Sequence, residues 1–276
     1  MGTSISTAIN GARHAPSAPI PMDATTTAII TVVNEHHLAH LLPPLLAGIH
    51  GEVAEDHKDY DWPLSLVDLD CDTGQNTLTL ATLTRHWRRP VQLEGWDRDK
   101  GKLESAEARC KDATWDNMNS SVTFNYLNLW KGLQMRLPVS PYFRHMYGFV
   151  LGVLIMHRLP LDILFKGIGG LLERDGVAVI TWMHPDIGVT EASSTESADE
   201  KSETNEEADF RHSVEGVLET AARYDLTLQG AVQQVRFSSE MVERLEHDLR
   251  ENAMKWVGRD FLISVVLKRV IDHAGP

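Results

Sequence analysis

Three aspartates and a glycine at alternating positions form the segment of this chain best suited to hold a polar ligand. Asp68, Asp70, Asp72 and Gly74 follow a short apolar run, and a helical pattern of leucines resumes at Thr77. An apolar strand, a tight polar turn and a helix start direct backbone N–H groups at an anionic or polar ligand. Aspartate tolerates the left-handed backbone that glycine usually supplies, so the turn can form, but two added carboxylates would repel an anion.

A further acidic residue lies at the end of the next predicted strand. Residues 91–96 form an apolar, β-rich run that ends at Asp97, and a helical pattern follows over 100–110. The carboxyl ends of parallel strands meet at one edge of a sheet, so we expect Asp97 to lie beside the turn after Asp68. An acid at a strand end also commonly caps the following helix, and both roles are open for Asp97.

Strands and helices alternate along most of the chain, which predicts βαβ units in an α/β fold with a doubly wound, mostly parallel sheet. A helix over 24–49, broken or kinked at Pro43 and Pro44, precedes the sheet. A charged amphipathic helix is predicted over 239–252. Seven strands are expected, at 64–68, 91–96, 122–126, 149–156, 177–182, 226–237 and 261–269.

The composition divides the chain into one folded domain and polar flanking segments. Residues 1–24 are rich in small and polar residues and predict a flexible tail, and 25–62 predict a helical lid and connection. The sheet domain is expected over 63–276. Within it, 190–209 carries eight acidic residues against one lysine and no apolar periodicity, which predicts a disordered acidic insertion.

Charge and cysteine usage narrow the classes of partner and compartment. The net charge of −13 argues against nucleic acid as a partner, since a phosphate-binding surface should be basic. No apolar run approaches the roughly 20 residues that span a bilayer, so we expect no membrane partner. Cys71 and Cys110 do not have the spacing of a disulfide framework or a metal site, which favours a reducing, cytoplasmic location and no metal.

Four blocks, in order, resemble the class I (Rossmann-like) S-adenosylmethionine (SAM)-dependent methyltransferases. VDLDCDTGQNTLTLA resembles motif I, with aspartate in place of two of its three glycines, and QLEGWDRDKGKLESAEAR resembles the second-strand block. YGFVLGVLIMHRLP and LFKGIGGLLERDGVAVITWMHPDIG resemble the blocks of strands four and five. The C-terminal EMVERLEHDLRENAMKWVGRDFLISVVLKR resembles the end of a fungal small-molecule methyltransferase subgroup. The likeness extends from about Asn34 to Arg269.

The resemblance implies a cofactor, SAM, and a role for individual residues. Asp68 would orient the motif I turn, and Asp97 would accept hydrogen bonds from the ribose hydroxyls with Arg98 flanking the adenosine. His157, after strand four, would lie at the mouth of the site as a base, or serve only as a turn residue before Pro160. The methionine portion would be lined by Cys71, Asp72, Thr73 and Gly74, and the adenine edge by Asn125 and Tyr126.

Three functions are compatible with these residues. The first is SAM-dependent methylation of a small molecule in fungal-type secondary-metabolite biosynthesis, in which an O, N or C nucleophile attacks the sulfonium methyl group. The second is a SAM-independent cyclase or pericyclase on the same fold, since the substituted glycines weaken the case for the cofactor. The third is a non-catalytic methyltransferase-like protein. The pocket residues of such a cyclase would be His36, His157, Trp182 and His184. The sequence leaves the substrate and the oligomeric state open.

Overall fold

The computed structural model describes residues 24–56, 63–126, 146–156, 159–185, 187 and 212–270. The helices are α1 (Ala24–Asp56), α2 (Gln75–Thr84), α3 (Lys100–Cys110), α4 (Leu161–Leu171), α5 (Val214–Ala222), α6 (Ser239–Val242) and α7 (His247–Met254). The strands are β1 (Leu64–Leu69), β2 (Val91–Asp97), β3 (Ser121–Tyr126), β4 (Tyr147–Val153), β5 (Leu172–Met183), β6 (Leu226–Leu228), β7 (Gln233–Arg236) and β8 (Asp260–Arg269).

These strands form one sheet in the order β3-β2-β1-β4-β5-β8-β6, with β7 also paired to β8. The first five strands of this order are parallel, and β8 runs antiparallel to β5, β6 and β7. Along the chain the sheet grows from β1 to β3 in one direction and from β4 onward in the other. A crevice therefore opens at the carboxyl ends of β1 and β4, which is where α/β sheets bind ligands.

Helices cover both faces of the sheet. On one face, α4 and α5 pack on the inward residues of β4, β5 and β8. On the other face, the second half of α1 packs with α2 on β1, β2, β4 and β5, through residues that include Leu38, Leu42 and Leu80. The first half of α1 packs with α6, α7 and the start of β8. Burial of these apolar faces supplies the main driving force for the fold.

Three predicted elements differ from the structure. The helix α1 continues past Pro43 and Pro44 to Asp56, because packing on the sheet outweighs the two prolines. The strand expected over 226–237 is divided into β6 and β7, which pair with the same edge of β8 on either side of Gly230, where φ is +80°. The helix expected over 239–252 is divided into the short α6 and α7.

Several predictions fall outside the described residues: the tail before Ala24, the acidic insertion over 190–209, and His157. Among the helices that the structure describes, none has both the length and the apolar character needed to cross a membrane.

Candidate functional site

The carboxylate of Asp68 lies at the carboxyl end of β1 and is 1% exposed. Its Oδ2 accepts a hydrogen bond from the Thr77 hydroxyl at 2.6 Å, whereas Oδ1 has no hydrogen-bond partner among the described residues. Burial raises the pKa of Asp68 to about 7, the charges of Asp70 and Asp97 raise it further, and the Thr77 hydrogen bond opposes them. The buried Oδ1 is thus an acceptor that a ligand amine or hydroxyl could satisfy.

The turn after β1 has the backbone that a glycine-rich motif would have. Asp70, Asp72 and Gly74 all have positive φ, at 58°, 51° and 78°. Asp70 and Asp72 stand where motif I usually has glycine, and their short polar side chains make this region accessible. The expectation that the turn survives the two substitutions is confirmed.

The side chain of Asp72 turns away from the turn and pairs with Lys102 of α3, with 2.9 Å between Oδ1 and Nζ. The carboxylate is 61% exposed, so water also screens it. The helix α2 begins directly after Gly74, and no side chain caps its N-terminus. Its first N–H groups are therefore positioned to bind an anionic ligand group, and the Asp72 carboxylate that precedes them is paired with Lys102.

Gly74 allows the turn to pack directly on α3. A Cβ at this position would lie 2.8 Å from the Ala106 Cβ and 2.9 Å from its Cα. The Gly74 N–H donates to the Cys71 carbonyl at 2.9 Å, and the Cys110 thiol lies 3.8 Å from the Gly74 carbonyl oxygen. Both the left-handed conformation and the lack of a side chain are required here.

We expect Gly74→Ala to lower the free energy of unfolding by about 2–3 kcal/mol, because it adds a steric clash to the backbone strain. Gly230→Ala is the matched control. It has nearly the same φ, +80°, but no atom within 4 Å of the added Cβ, so only the strain, about 1 kcal/mol, should remain. Urea denaturation of both variants measures the difference, and equal losses would show that the contact with Ala106 is unimportant.

The carboxylate of Asp97 holds the turn against the end of β2. Oδ2 accepts from the Asp72 N–H at 2.9 Å and Oδ1 from the Asp99 N–H at 2.8 Å, and Asp97 is 2% exposed. The cap of α3 is a different residue, Asp99, whose side chain accepts from the N–H groups of Gly101 and Lys102. The helix-capping alternative for Asp97 is therefore replaced by a bridging role between the turn and the loop after β2.

Two further residues that were predicted to line the cofactor, Cys71 and Thr73, belong to the turn between β1 and α2. Cys71 is 2% exposed, and its N–H donates to the Trp96 carbonyl at 3.0 Å, which ties the turn to β2. Burial, together with the nearby aspartates, raises the pKa of the Cys71 thiol. It is therefore a neutral packing group at pH 7. Thr73 is half-buried and follows Asp72 toward the start of α2.

On the opposite face of the sheet, the Glu94 carboxylate of β2 collects three side-chain donors. Tyr147 donates to Oε1 at 2.9 Å, and Trp96 and Asn125 donate to Oε2 at 2.8 Å and 3.0 Å. Trp96 and Tyr147 also pack edge-to-face at 5.8 Å. This network connects β2, β3 and β4 and orients Asn125 at the end of β3.

The remaining predicted residues lie at the edge of the crevice. Arg98 is exposed directly after Asp97. Tyr126 ends β3 at 56% exposure, with the Lys100 ammonium 5.4 Å from its ring centroid. The structure thus gathers Asp68, the turn and Asp97 at the carboxyl edge of the sheet, and it places Asn125 and Tyr126 on the neighbouring strand. In the described part of the chain, no group of three His, Cys, Asp or Glu side chains could hold a metal ion.

Two contributors were not predicted from the sequence. The first is Lys102, which forms an ion pair with Asp72. Its position in the first turn of the helix after Asp97 could have indicated this contact. Glu94 alternates with apolar residues in β2, and an acid inside an otherwise buried strand could have indicated a need for several donors.

Two features define the class I methyltransferase fold. One is the strand order, in which the antiparallel β8 lies beside β5, and the other is the ligand crevice at the ends of β1 and β4. Solved structures share this architecture. The geranyl diphosphate C-methyltransferase of Streptomyces coelicolor A3(2) aligns with a TM-score of 0.51 and 14% identity, covering 80% of this chain and 76% of that chain. The [4+2]-cyclase SpnF aligns with a TM-score of 0.50 and 14% identity over 81% and 80%.

A sequence relative identifies the family. A protein of Emericella nidulans, named as an uncharacterized methyltransferase, is 30% identical over 207 residues, which is 71% of this chain and 70% of the relative. No protein-family model matches the chain. The chain therefore belongs to the methyltransferase family of this fungal protein, as the four sequence blocks predicted.

Proposed function

We propose that the protein is a SAM-dependent methyltransferase that acts on a small molecule. The observation that carries the proposal is the turn after β1. It keeps positive φ at Asp70 and Asp72, and the Asp72 carboxylate is neutralised by Lys102. Both substituted positions therefore keep a backbone suitable for a cofactor, and at Asp72 the added charge is also paired with a lysine.

The residues present fit SAM. The uncapped start of α2 suits the amino-acid carboxylate, and the unpartnered Oδ1 of Asp68 suits an ammonium or hydroxyl donor. Asp97 and Arg98 remain the predicted neighbours of the ribose and adenosine, and Asn125 and Tyr126 those of the adenine. When bound, SAM supplies an electrophilic methyl group on a sulfonium. The protein contributes alignment of the acceptor nucleophile and exclusion of water, with His157 as a proposed base.

A role in secondary-metabolite biosynthesis is part of the same proposal. It is supported by the resemblance of the C-terminal segment to fungal small-molecule methyltransferases and by the fungal origin of the relative.

Calorimetric titration with S-adenosylhomocysteine tests the proposal. We expect the wild type to bind, and we expect Lys102→Met to weaken binding by about two- to fivefold, because it leaves the Asp72 charge unpaired beside the ligand carboxylate. The double variant Asp72→Asn with Lys102→Met should restore the wild-type affinity, since asparagine also accepts positive φ. Absence of binding to the wild type at millimolar ligand would count against methyl transfer.

The second candidate is a SAM-independent cyclase. It is favoured by the acidic side chains that stand at two motif I glycine positions and by the equal structural likeness to a [4+2]-cyclase. A cyclase would stabilise one folded conformation of its substrate through pocket shape and a few donors. Rearrangement of a biosynthetic intermediate by a protein that does not bind S-adenosylhomocysteine would select this function over methyl transfer.

A further inference from the structure

Three buried polar side chains between α1 and the sheet have polar atoms without partners. They are Asn34 and His37 of α1, 6% and 8% exposed, and Ser264 of β8, 1% exposed. Among the described residues, the Asn34 Oδ1, His37 Nε2 and Ser264 Oγ atoms have no hydrogen-bond partner. We call these three residues the interlayer polar cluster. Buried polar atoms are nearly always paired, so three in one layer indicate a group that the described residues do not supply.

Packing on either side places the three residues at the same level. On α1, Asn34 and His37 lie between Val33, which belongs to the same apolar cluster as Leu262, and Leu38, which belongs to the same cluster as Val266. Ser264 lies between Leu262 and Val266 on β8 and points to the same face, because side chains alternate along a strand. The helix and the strand therefore bring their polar residues together between two apolar clusters.

The strand register connects this level to the candidate cofactor crevice. Ser264 pairs with Thr181 of β5, and Thr181 pairs with Val153 at the end of β4. Two residues before Val153, Leu151 pairs with Asp68 of β1. Ser264 thus lies two residues beyond the level of Asp68, toward the carboxyl edge of the sheet, and three strands away from it. The Thr181 hydroxyl accepts from the Leu154 N–H at 3.3 Å, and among the described residues no hydrogen bond joins it to Ser264.

The chemistry of the cluster suits a neutral hydroxyl. The Asn34 carboxamide oxygen is an acceptor, and the serine hydroxyl can donate or accept. Burial, with the neighbouring His36 and His40, lowers the pKa of His37 to about 4, so its ring is uncharged at pH 7 and has one donor and one acceptor nitrogen. The flanking side chains, among them Val33, Leu38 and Val153, are apolar and disfavour an ion.

We propose that the interlayer polar cluster binds a hydroxyl group of an uncharged acceptor substrate, with α1 and β8 as the two walls of the site. This rests on the proposed methyltransferase function, since it names the class of its acceptor. A hydroxyl donates to the Asn34 Oδ1 and, through its two lone pairs, accepts from the Ser264 hydroxyl and the His37 Nε2–H, which pairs all three buried atoms.

Phenol and its methyl ether anisole are suitable probes, because they differ in the hydroxyl hydrogen that the cluster would bind. In ligand-observed NMR titrations of the full chain with saturating S-adenosylhomocysteine, we expect phenol to bind about tenfold more tightly than anisole. Asn34→Leu, which keeps the side-chain size, should remove this preference. Its thermal midpoint without ligand should equal or exceed that of the wild type, because it removes an unpaired buried acceptor.

Thr220→Val of α5 is the matched control on the opposite face of the sheet. Its hydroxyl is buried but paired, donating to the Gly216 carbonyl and accepting from Arg223. It should lower the thermal midpoint and leave the preference for phenol unchanged.

Equal affinities of the wild type for phenol and anisole would overturn the inference. So would an Asn34→Leu variant that keeps the preference but loses stability, since the cluster would then be held by structural water. The two proposals fail separately in the same titrations. Binding of S-adenosylhomocysteine without a phenol preference removes only the hydroxyl site, whereas a phenol preference without S-adenosylhomocysteine binding removes methyl transfer.

Discussion

Asp97→Ala is expected to lower the free energy of unfolding by roughly 3–5 kcal/mol and to weaken S-adenosylhomocysteine binding on the order of 100-fold. The carboxylate accepts the backbone N–H groups of Asp72 and Asp99 at 2.9 Å and 2.8 Å, and it is 2% exposed. Removing it leaves both donors unpaired at a buried junction, where each charge-assisted hydrogen bond contributes about 1.5–3 kcal/mol. The turn after β1 would lose its anchor to β2.

Asp99→Ala is the matched control, since it removes an exposed aspartate two residues away. That side chain caps α3 through the Gly101 and Lys102 N–H groups, so its loss should cost only about 1 kcal/mol. Its affinity for S-adenosylhomocysteine should stay within about twofold of the wild type, because the turn remains anchored. Urea denaturation and calorimetry on both variants give the comparison, and similar losses in the two would show that Asp97 does not organise the turn.

Asp97→Asn separates anchoring of the turn from ribose binding. Asparagine keeps one acceptor oxygen but turns an amide toward one of the two backbone donors, so about half of the stability loss should remain. The affinity for S-adenosylhomocysteine is then measured in conditions where the variant is fully folded, so that lost stability does not lower it. If Asp97 contacts the ribose as predicted, the affinity should still fall. An unchanged affinity in folded Asp97→Asn would restrict Asp97 to a structural role.

The sequence predicted the central part of the fold because local patterns and tertiary packing agree there. The helix predicted around 100–110 coincides with α3, and the predicted second strand differs from β2 by one residue at its end. The positions of Asp68 and Asp97 at neighbouring strand ends followed from the same alternation. Where packing opposes local preference, the prediction of a break was wrong: α1 continues through Pro43 and Pro44 because its leucines are buried on the sheet.

The contacts within the site were less predictable, because they join residues far apart in the chain. The Asp72 N–H that Asp97 holds lies 25 positions earlier, and Tyr147 reaches Glu94 from 53 positions away. The sequence did contain a pattern that indicates burial of the two α1 residues of the interlayer polar cluster. Asn34 and His37, three residues apart, fall on the stripe of α1 that also has Val33 and Leu38, and polar residues on an apolar stripe indicate burial.

The buried carboxyl of Asp68 should make stability fall as pH rises. Its pKa is about 7 in the folded protein against an ordinary value of 3.8, chiefly because of burial. Between these two values the folded state holds a proton that the unfolded state releases. The free energy of unfolding should therefore decrease from about pH 4 to pH 7, by up to ~4 kcal/mol for this group, and stay low above pH 7.

Asp68→Asn tests this, because it cannot ionise. In urea denaturation from pH 4.5 to 8.5, the difference between the wild type and Asp68→Asn isolates the Asp68 term, and the variant should be the more stable protein above pH 7. Thr77→Val removes the hydrogen bond that lowers the pKa of Asp68, so it should move the decrease to higher pH. Parallel pH curves for the wild type and Asp68→Asn would mean that Asp68 is already ionised near pH 4. A carboxylate stabilised to that extent would need a partner for Oδ1, and the turn would then be satisfied without a ligand.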